Sequence, residues 1–140
     1  MTIPSRVKLI DVGPRDGLQN EKQAVPTAVK IELVHRLQAA GLKEIEVTSF
    51  VSPKWVPQMA DNAEVMAGIQ RQAGIRYSVL TPNMQGFLAA QQSKPDEIVV
   101  TPHTSARTMR EESIAQITGK IKLVYLGQPI EGRVDKLRGY

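Results

Sequence analysis

The sequence predicts an α/β fold in which short strands and helices alternate along the chain. Three observations lead to this prediction: four short segments rich in β-branched residues, three helical patterns lying between them, and turn signals such as Gly13-Pro14 at their ends. The predicted order is βαβαβαβ. Elements that alternate at this spacing typically form parallel βαβ units, which leaves a doubly wound sheet and a barrel both open.

The first strand is predicted over residues 7–12, which stop at a Gly-Pro turn. A helix follows, with Thr27 as its cap and Gly41 as its left-handed stop. One face of this helix carries the apolar residues Val29, Leu33, Leu37 and Ala40. The later predicted elements are a strand at 44–48, a long loop at 49–60, a helix at 61–72 capped by Asp61, a strand at 76–80, a helix at 83–92 and a strand at 97–100.

Residues 101–140 are less orderly than the preceding hundred. Ala106, Met109, Ile114 and Ile117 give an imperfect helical stripe, and residues 120–126 have the composition of a fifth strand. Residues 1–100 hold 11 Lys/Arg and 10 Asp/Glu, whereas residues 101–140 hold 7 and 4. Most of the formal charge of +4 therefore lies in this tail.

Composition excludes several classes of function. The absence of cysteine excludes disulfides, thiolate metal sites and a cysteine nucleophile. No stretch approaches about 18 consecutive apolar residues, and no secretory signal pattern opens the chain, so we expect a cytoplasmic protein with no membrane partner. Glycine-rich nucleotide fingerprints are missing and the few aromatic residues do not alternate with basic ones, which argues against nucleic acid as a partner.

Unusual polar residues lie at or just after the carboxyl ends of the predicted strands, at positions 15–16, 46–49 and 81–83. Barrel enzymes keep their chemistry at this end of the sheet, so the placement favours a barrel. The chain of 140 residues is nevertheless shorter than a complete eight-stranded barrel, which needs about 200 residues or more.

Arg15 and Asp16 are adjacent in a glycine-flanked loop after the first strand. Asp16 could be an oxygen ligand for a hard divalent cation, and Arg15 could bind an oxygen whose negative charge grows during a reaction. The alternative is an ordinary surface ion pair. Glu46, in the second strand, would need a partner such as Arg15 if it faced a barrel interior; alternatively, Glu44 and Glu46 line a solvated face of the sheet.

The loop at 49–60 carries the only tryptophan, Trp55, and its apolar content predicts a fixed wall over a ligand site or a subunit contact. Lys54 in this loop could meet a phosphate, but a solvated lysine is the simpler interpretation. His35 is expected on the surface of the first helix. His103 follows the fourth strand, but a lone histidine makes a poor metal site.

Three strings identify a family resemblance: residues 12–21 (VGPRDGLQNE), residues 46–59 (EVTSFVSPKWVPQM) and residues 80–83 (LTPN). Together they strongly resemble the amino-terminal part of the hydroxymethylglutaryl-CoA lyase family. The resemblance covers about residues 6–100 and implies a partial (β/α)8 TIM barrel of about the first four βα units. Residues 1–100 would be the amino-terminal half of the lyase domain, and residues 101–140 a divergent tail.

The resemblance implies a metal-dependent retro-aldol (Claisen) cleavage of the acyl-CoA substrate 3-hydroxy-3-methylglutaryl-CoA to acetyl-CoA and acetoacetate, in leucine breakdown and ketone-body formation. By position, Asp16 resembles a ligand of the cofactor Mg2+ or Mn2+. Arg15 resembles the catalytic group that stabilises the enolate oxygen, and Glu46 resembles the catalytic acidic residue beside it. Arg15 and Gln19 would contact the substrate.

Members of the family also have a His-x-His pair of metal ligands and a cysteine that acts as the catalytic acid. This sequence contains neither. Asp16 alone falls short of the three protein ligands usual in a catalytic centre, so we expect weak metal binding by this chain alone. A second hypothesis is therefore a truncated, catalytically inactive lyase fragment. Half a barrel would also expose unpaired strand edges, which favours a homo-oligomer.

Overall fold

The computed structural model describes residues 8–101, and its centre is a parallel sheet of three strands. These are β1 (Glu44–Ser49), β2 (Arg76–Thr81) and β3 (Glu97–Val100), in the order β1-β2-β3. The helices between and before them are α1 (Thr27–Ala39), α2 (Asn62–Gly68) and α3 (Met84–Gln92). The predicted alternation from residue 26 onward is confirmed. The helix and strand predicted after residue 101, and His103, lie outside the described residues.

The first strand is predicted over residues 7–12, and its described residues, 8–12, pair with the sheet at one point only. Asp11 forms a parallel bridge opposite Ile45, its N–H donating to the Glu44 carbonyl at 3.0 Å and its carbonyl accepting from the Glu46 N–H at 2.8 Å. The prediction of a full strand is wrong for residues 8–10 and 12. Leu9, Ile10 and Val12 are 74%, 43% and 39% exposed, and within this segment only Asp11 is held to β1 by two backbone hydrogen bonds.

The hydrophobic core fills the space between the helices and one face of the sheet. Because side chains alternate along a strand, Tyr77 and Val79 of β2 point into this core while Ser78 and Leu80 point to the opposite face. The core also contains residues from every helix and from β1: Val34, Ile45, Val47, Val65, Met66 and Ala90. The candidate functional site, described below, lies on the opposite face of the sheet.

The buried face of α1 differs from the predicted one. Val29 is 53% exposed and Ala40 is also exposed, whereas Lys30, Val34 and Gln38 are buried. The polar members of this stripe are buried because each has partners; Gln38 Nε2, for example, donates to the Tyr77 hydroxyl at 2.8 Å and to the Gln70 carbonyl at 3.1 Å. The hydrophobic pattern is therefore wrong for Val29 and Ala40, whereas Leu33 and Leu37 are partly buried and Leu37 packs against the core. Gly41 is the left-handed stop that the sequence predicts, with φ +90°.

Two predicted caps have another role. Neither Thr27 nor Asp61 caps a helix through its side chain; instead, Thr27 Oγ1 donates to Asp61 Oδ2 at 2.7 Å. Helix α2 is also shorter than the predicted 61–72, since the backbone is already extended at Ile69. At α3 the prediction is closer, because Asn83 Oδ1 accepts from the Gly86 N–H at 2.9 Å and caps the helix.

Gly86 lies in the first turn of α3, where a Cβ atom would overlap the carbonyl oxygen of Phe50. We expect Gly86→Ala to push α3 away from the end of β1 and to lower the free energy of unfolding by about 1–3 kcal/mol. Gly17→Ala is the matched control, since a Cβ there meets no described atom within 4 Å. Urea denaturation compares the two variants, and equal losses would contradict the close approach of α3 to Phe50.

Candidate active site

The loop that carries Arg15 and Asp16 is a single π-helical turn, Gly13–Gly17, directly after the Asp11 bridge. Asp11 Oδ1 accepts from the Gly13 N–H at 2.9 Å and fixes the start of the turn. The Val12 carbonyl accepts from the N–H groups of Asp16 at 2.7 Å and Arg15 at 3.1 Å. Single π-helical turns of this kind are frequent at functional sites.

Arg15 joins this turn to β1. Its Nε donates to Glu46 Oε1 at 2.5 Å, and its Nη1 donates to Asp16 Oδ1 at 2.5 Å. Glu46 is only 5% exposed. The structure thus brings together the predicted partners Arg15 and Glu46, and the alternative in which Glu46 lines a solvated face is wrong.

The burial of Glu46 next to Arg15 has an electrostatic explanation. A buried carboxylate is costly unless it is paired and hydrogen-bonded, and the Arg15 guanidinium supplies both the charge and the donor to Glu46. Arg15 uses two of its five N–H donors in contacts to side chains of the described residues. Its planar cation is therefore held in a fixed orientation and keeps donors for an oxygen of a ligand.

Ser49 is a candidate site residue that sequence reasoning did not single out. Its hydroxyl is fully buried and has no hydrogen-bond partner among the described residues. The register shifts between Glu46 and Thr48, so that Glu46 pairs with Ser78 and Ser49 pairs with Leu80. Ser78 and Leu80 share one face of β2, which places Ser49 on the same face as Glu46, nearer the carboxyl end of the strand.

Thr81 also has a buried hydroxyl without a partner in the part of the chain that the structure describes. By alternation along β2, it lies on the face of Tyr77 and Val79, which are core residues. It therefore does not join Glu46 and Ser49. The signal for both hydroxyls in the sequence is the same, a Ser or Thr that ends an apolar strand, and only the register separates them.

The other predicted residues are more loosely connected to the site. Gln19 is half-buried just after the π-helical turn and makes no side-chain hydrogen bond to a described residue; the neighbouring Asn20 Nδ2 donates to the Asp16 carbonyl at 2.7 Å instead. Lys54 is exposed, which agrees with the solvated interpretation, and Trp55 is 80% exposed. His35 accepts from the Gln70 N–H at 2.9 Å and has a structural role.

Asp16 fits a divalent cation as one ligand of a larger set. Its side chain is 55% exposed and accepts from Arg15 through Oδ1. Mg2+ prefers oxygen ligands and is commonly held by one or two carboxylates together with waters. Within residues 8–101 there is no cluster of three or more His, Cys, Asp or Glu side chains that could hold a metal ion.

Comparisons with known proteins find similarity over most of this chain. A sequence model of the HMGL-like family matches residues 6–124. The rat protein "Hydroxymethylglutaryl-CoA lyase, mitochondrial" is 47% identical over 154 residues, covering 96% of this chain and 47% of the rat protein. The mouse protein "3-hydroxy-3-methylglutaryl-CoA lyase, cytoplasmic" is 61% identical over 141 residues, covering 95% of this chain and 41% of the mouse protein.

A solved structure, the hydroxymethylglutaryl-CoA lyase from Pseudomonas aeruginosa, superposes with a TM-score of 0.77 at 45% identity, covering 91% of this chain and 45% of that one. The predicted α/β class with a parallel sheet, part of a TIM barrel, is thereby confirmed. The chain spans less than half the length of these relatives. The family match continues past residue 100, and the division into 1–100 and 101–140 stays a prediction.

The names of the relatives include both a mitochondrial and a cytoplasmic location, so the predicted cytoplasmic location also stays a prediction. Among the helices of residues 8–101, none is long and apolar enough to cross a membrane.

Proposed function

We propose, because this chain belongs to the HMGL-like family, that its site takes part in the cleavage of 3-hydroxy-3-methylglutaryl-CoA to acetyl-CoA and acetoacetate. The observation that carries the proposal is the buried Glu46 carboxylate, which holds the Arg15 guanidinium at the end of the sheet beside Asp16. The names of the relatives support the choice of substrate.

In this reaction the substrate's 3-hydroxyl loses its proton and becomes the ketone of acetoacetate while the bond between C2 and C3 breaks. The electron pair of that bond moves onto C2 and the thioester oxygen as an enolate, which then takes a proton at C2 to become acetyl-CoA. Arg15 donates to the enolate oxygen, where a fixed cation is most effective because negative charge develops there. Glu46 acts through Arg15 by holding its orientation.

Asp16, whose Oδ1 accepts from Arg15 Nη1, is the residue that would hold the divalent Mg2+ or Mn2+. When bound, such an ion polarises the substrate hydroxyl and lowers its pKa. Gln19 lies one turn beyond Asp16 and would contact the acyl group. Ser49, whose hydroxyl lies on the Glu46 face and has no hydrogen-bond partner within residues 8–101, would donate to a substrate oxygen.

Incubation of the chain with 3-hydroxy-3-methylglutaryl-CoA and Mn2+, followed by mass spectrometry, tests which bond is broken. Equal amounts of acetyl-CoA and acetoacetate are the expected products. Free CoA together with the intact six-carbon acid would mean thioester hydrolysis and would overturn the proposal.

A second candidate function is a family member without catalytic activity. It is favoured by the lack of any cysteine and of any His-x-His pair in the sequence, since the resemblance implies both in an active lyase. Binding of the acyl-CoA without formation of either product would support this candidate over the first.

Replacement of Ser49 by alanine separates a binding role from a structural one. A buried hydroxyl without a partner costs about 1–3 kcal/mol, so Ser49→Ala should leave the free energy of unfolding unchanged or raise it. Loss of a hydrogen bond to the substrate should lower kcat/KM by about tenfold. Urea denaturation and product formation measure the two effects, and a less stable variant with normal kcat/KM would show that the hydroxyl is structural.

A further inference from the structure

Lys30 is a charged residue in the buried face of α1, and the proposed reaction makes no use of it. It is 5% exposed. Its Nζ donates to the backbone carbonyl of Gln58 at 2.5 Å and to Asp61 Oδ1 at 2.6 Å. Both acceptors belong to the short segment that joins the loop after β1 to the start of α2.

Asp61 completes this connection from the other side. Its Oδ2 accepts from Thr27 Oγ1 at 2.7 Å, so that both oxygens of the carboxylate bind the first turn of α1. Partial burial alone would raise the pKa of Asp61, but the hydrogen bonds from Lys30 and Thr27 outweigh it and hold this pKa below its usual value. The Asp61 carboxylate is therefore ionised near neutral pH.

The segment held by Lys30 also contacts the candidate active site at two points. Gln58 Nε2 donates to the Glu21 carbonyl at 3.0 Å, and Glu21 lies in the loop that follows the Arg15–Asp16 turn. Asn62 Nδ2 donates to the Ser49 carbonyl at 3.2 Å. One short segment thus holds both the loop after the π-helical turn and the end of β1.

Stability alone does not explain a lysine at this position. Well-packed apolar residues in place of a buried ion pair are often neutral or stabilising, because the charges no longer have to be removed from water. Contacts between apolar side chains, however, are not directional. The hydrogen bonds of the Lys30 ammonium group are directional and fix the Gln58 carbonyl and the Asp61 carboxylate at defined positions.

We infer that the Lys30–Asp61 pair is a positioning device that sets the Gln58–Asn62 segment and, through it, the Arg15–Asp16 turn and Ser49. Its role in the reaction rests on the proposed function, and Lys30 is a positioning residue that does not touch the substrate. Its effect on the geometry of the turn can be measured without any turnover.

The test compares two double variants of the full chain. Lys30→Met/Asp61→Leu removes both charges of the buried pair. Glu32→Leu/Arg36→Met removes both charges of the exposed pair on the same helix, where Arg36 is 78% exposed. Urea denaturation of both variants shows whether the chain remains folded, and Lys30→Arg, which keeps a charged donor, is the conservative variant.

Hydrogen exchange of the amides of Arg15, Asp16 and Glu21 is the primary measurement. We expect these amides to exchange at least about tenfold faster in Lys30→Met/Asp61→Leu than in Glu32→Leu/Arg36→Met, at similar unfolding midpoints. In Lys30→Arg they should exchange as slowly as in the wild type. Fluorescence of Trp55, the only tryptophan, should report a change in the same loop. Equal exchange in the two double variants would overturn the inference.

Turnover gives the second measurement. Where the wild-type chain cleaves the substrate, the buried double variant should lower kcat by about tenfold with a smaller change in KM, because the catalytic groups are displaced while much of the substrate contact remains. An unchanged kcat would overturn the positioning role. Faster exchange in a chain whose wild type has no turnover would contradict the proposed function while supporting the inference about geometry.

Discussion

An Arg15→Met variant is expected to lose both stability and turnover, and this is the largest combined effect of any single change in the site. Removal of the guanidinium leaves the Glu46 carboxylate buried without its partner. Breaking a buried pair in this way costs about 3 kcal/mol or more, a large part of the total stability of a small domain. Loss of the donor to the enolate oxygen should lower kcat by about 100- to 1,000-fold.

The double variant Arg15→Met/Glu46→Leu separates these two effects. It leaves no unpaired carboxylate in the interior, so most of the stability should return while turnover stays low. Arg36→Met is the matched control, since Arg36 pairs with Glu32 on the exposed surface of α1 and its loss should change stability by less than about 0.5 kcal/mol. If Arg15→Met were as stable as this control, Glu46 would not depend on Arg15.

An Asp16→Asn variant is expected to lose Mn2+-dependent turnover while its stability and secondary structure remain those of the wild type. The Asp16 side chain is 55% exposed and its carboxylate pairs only with Arg15 among the described residues, so its charge contributes little to folding. Asparagine keeps the shape but replaces a carboxylate oxygen, the ligand that a hard cation prefers. We expect turnover at a fixed Mn2+ concentration to fall by about 100-fold or more.

Glu32→Gln is the control for this change. The Glu32 carboxylate is 56% exposed and also pairs with one arginine, Arg36, so it matches Asp16 in exposure and in contact but lies on α1. Circular dichroism and the rate of acetyl-CoA release are measured for both variants. Wild-type turnover in Asp16→Asn would remove Asp16 from the site.

Sequence reasoning located the elements whose signals are local. The strands at 44–48, 76–80 and 97–100 and the helix at 83–92 all agree with the structure within one residue, because short β-branched runs and the turn signals around them are read from neighbouring positions. The buried face of α1 could not be read in this way. Lys30 and Gln38 are buried because of partners far along the chain, which no local pattern shows.

The same distinction applies to the site. The meeting of Arg15 and Glu46 could be predicted because parallel strands bring their carboxyl ends to one edge of the sheet. Ser49 could not be selected from among the hydroxyls at the strand ends, since its position on the Glu46 face depends on a register shift within β1. The first strand was overpredicted because its β-branched composition gave no sign that only Asp11 would be paired.

The most direct test of the site is the rate of acetyl-CoA release from 3-hydroxy-3-methylglutaryl-CoA by the purified 140-residue chain of verified mass, measured with Mn2+ and again with a chelator. The proposed function predicts release that requires the metal and disappears in Asp16→Asn. No release under either condition, from a chain shown to be folded, would contradict it and would leave the Arg15–Glu46 pair as a structural feature of a family member without activity.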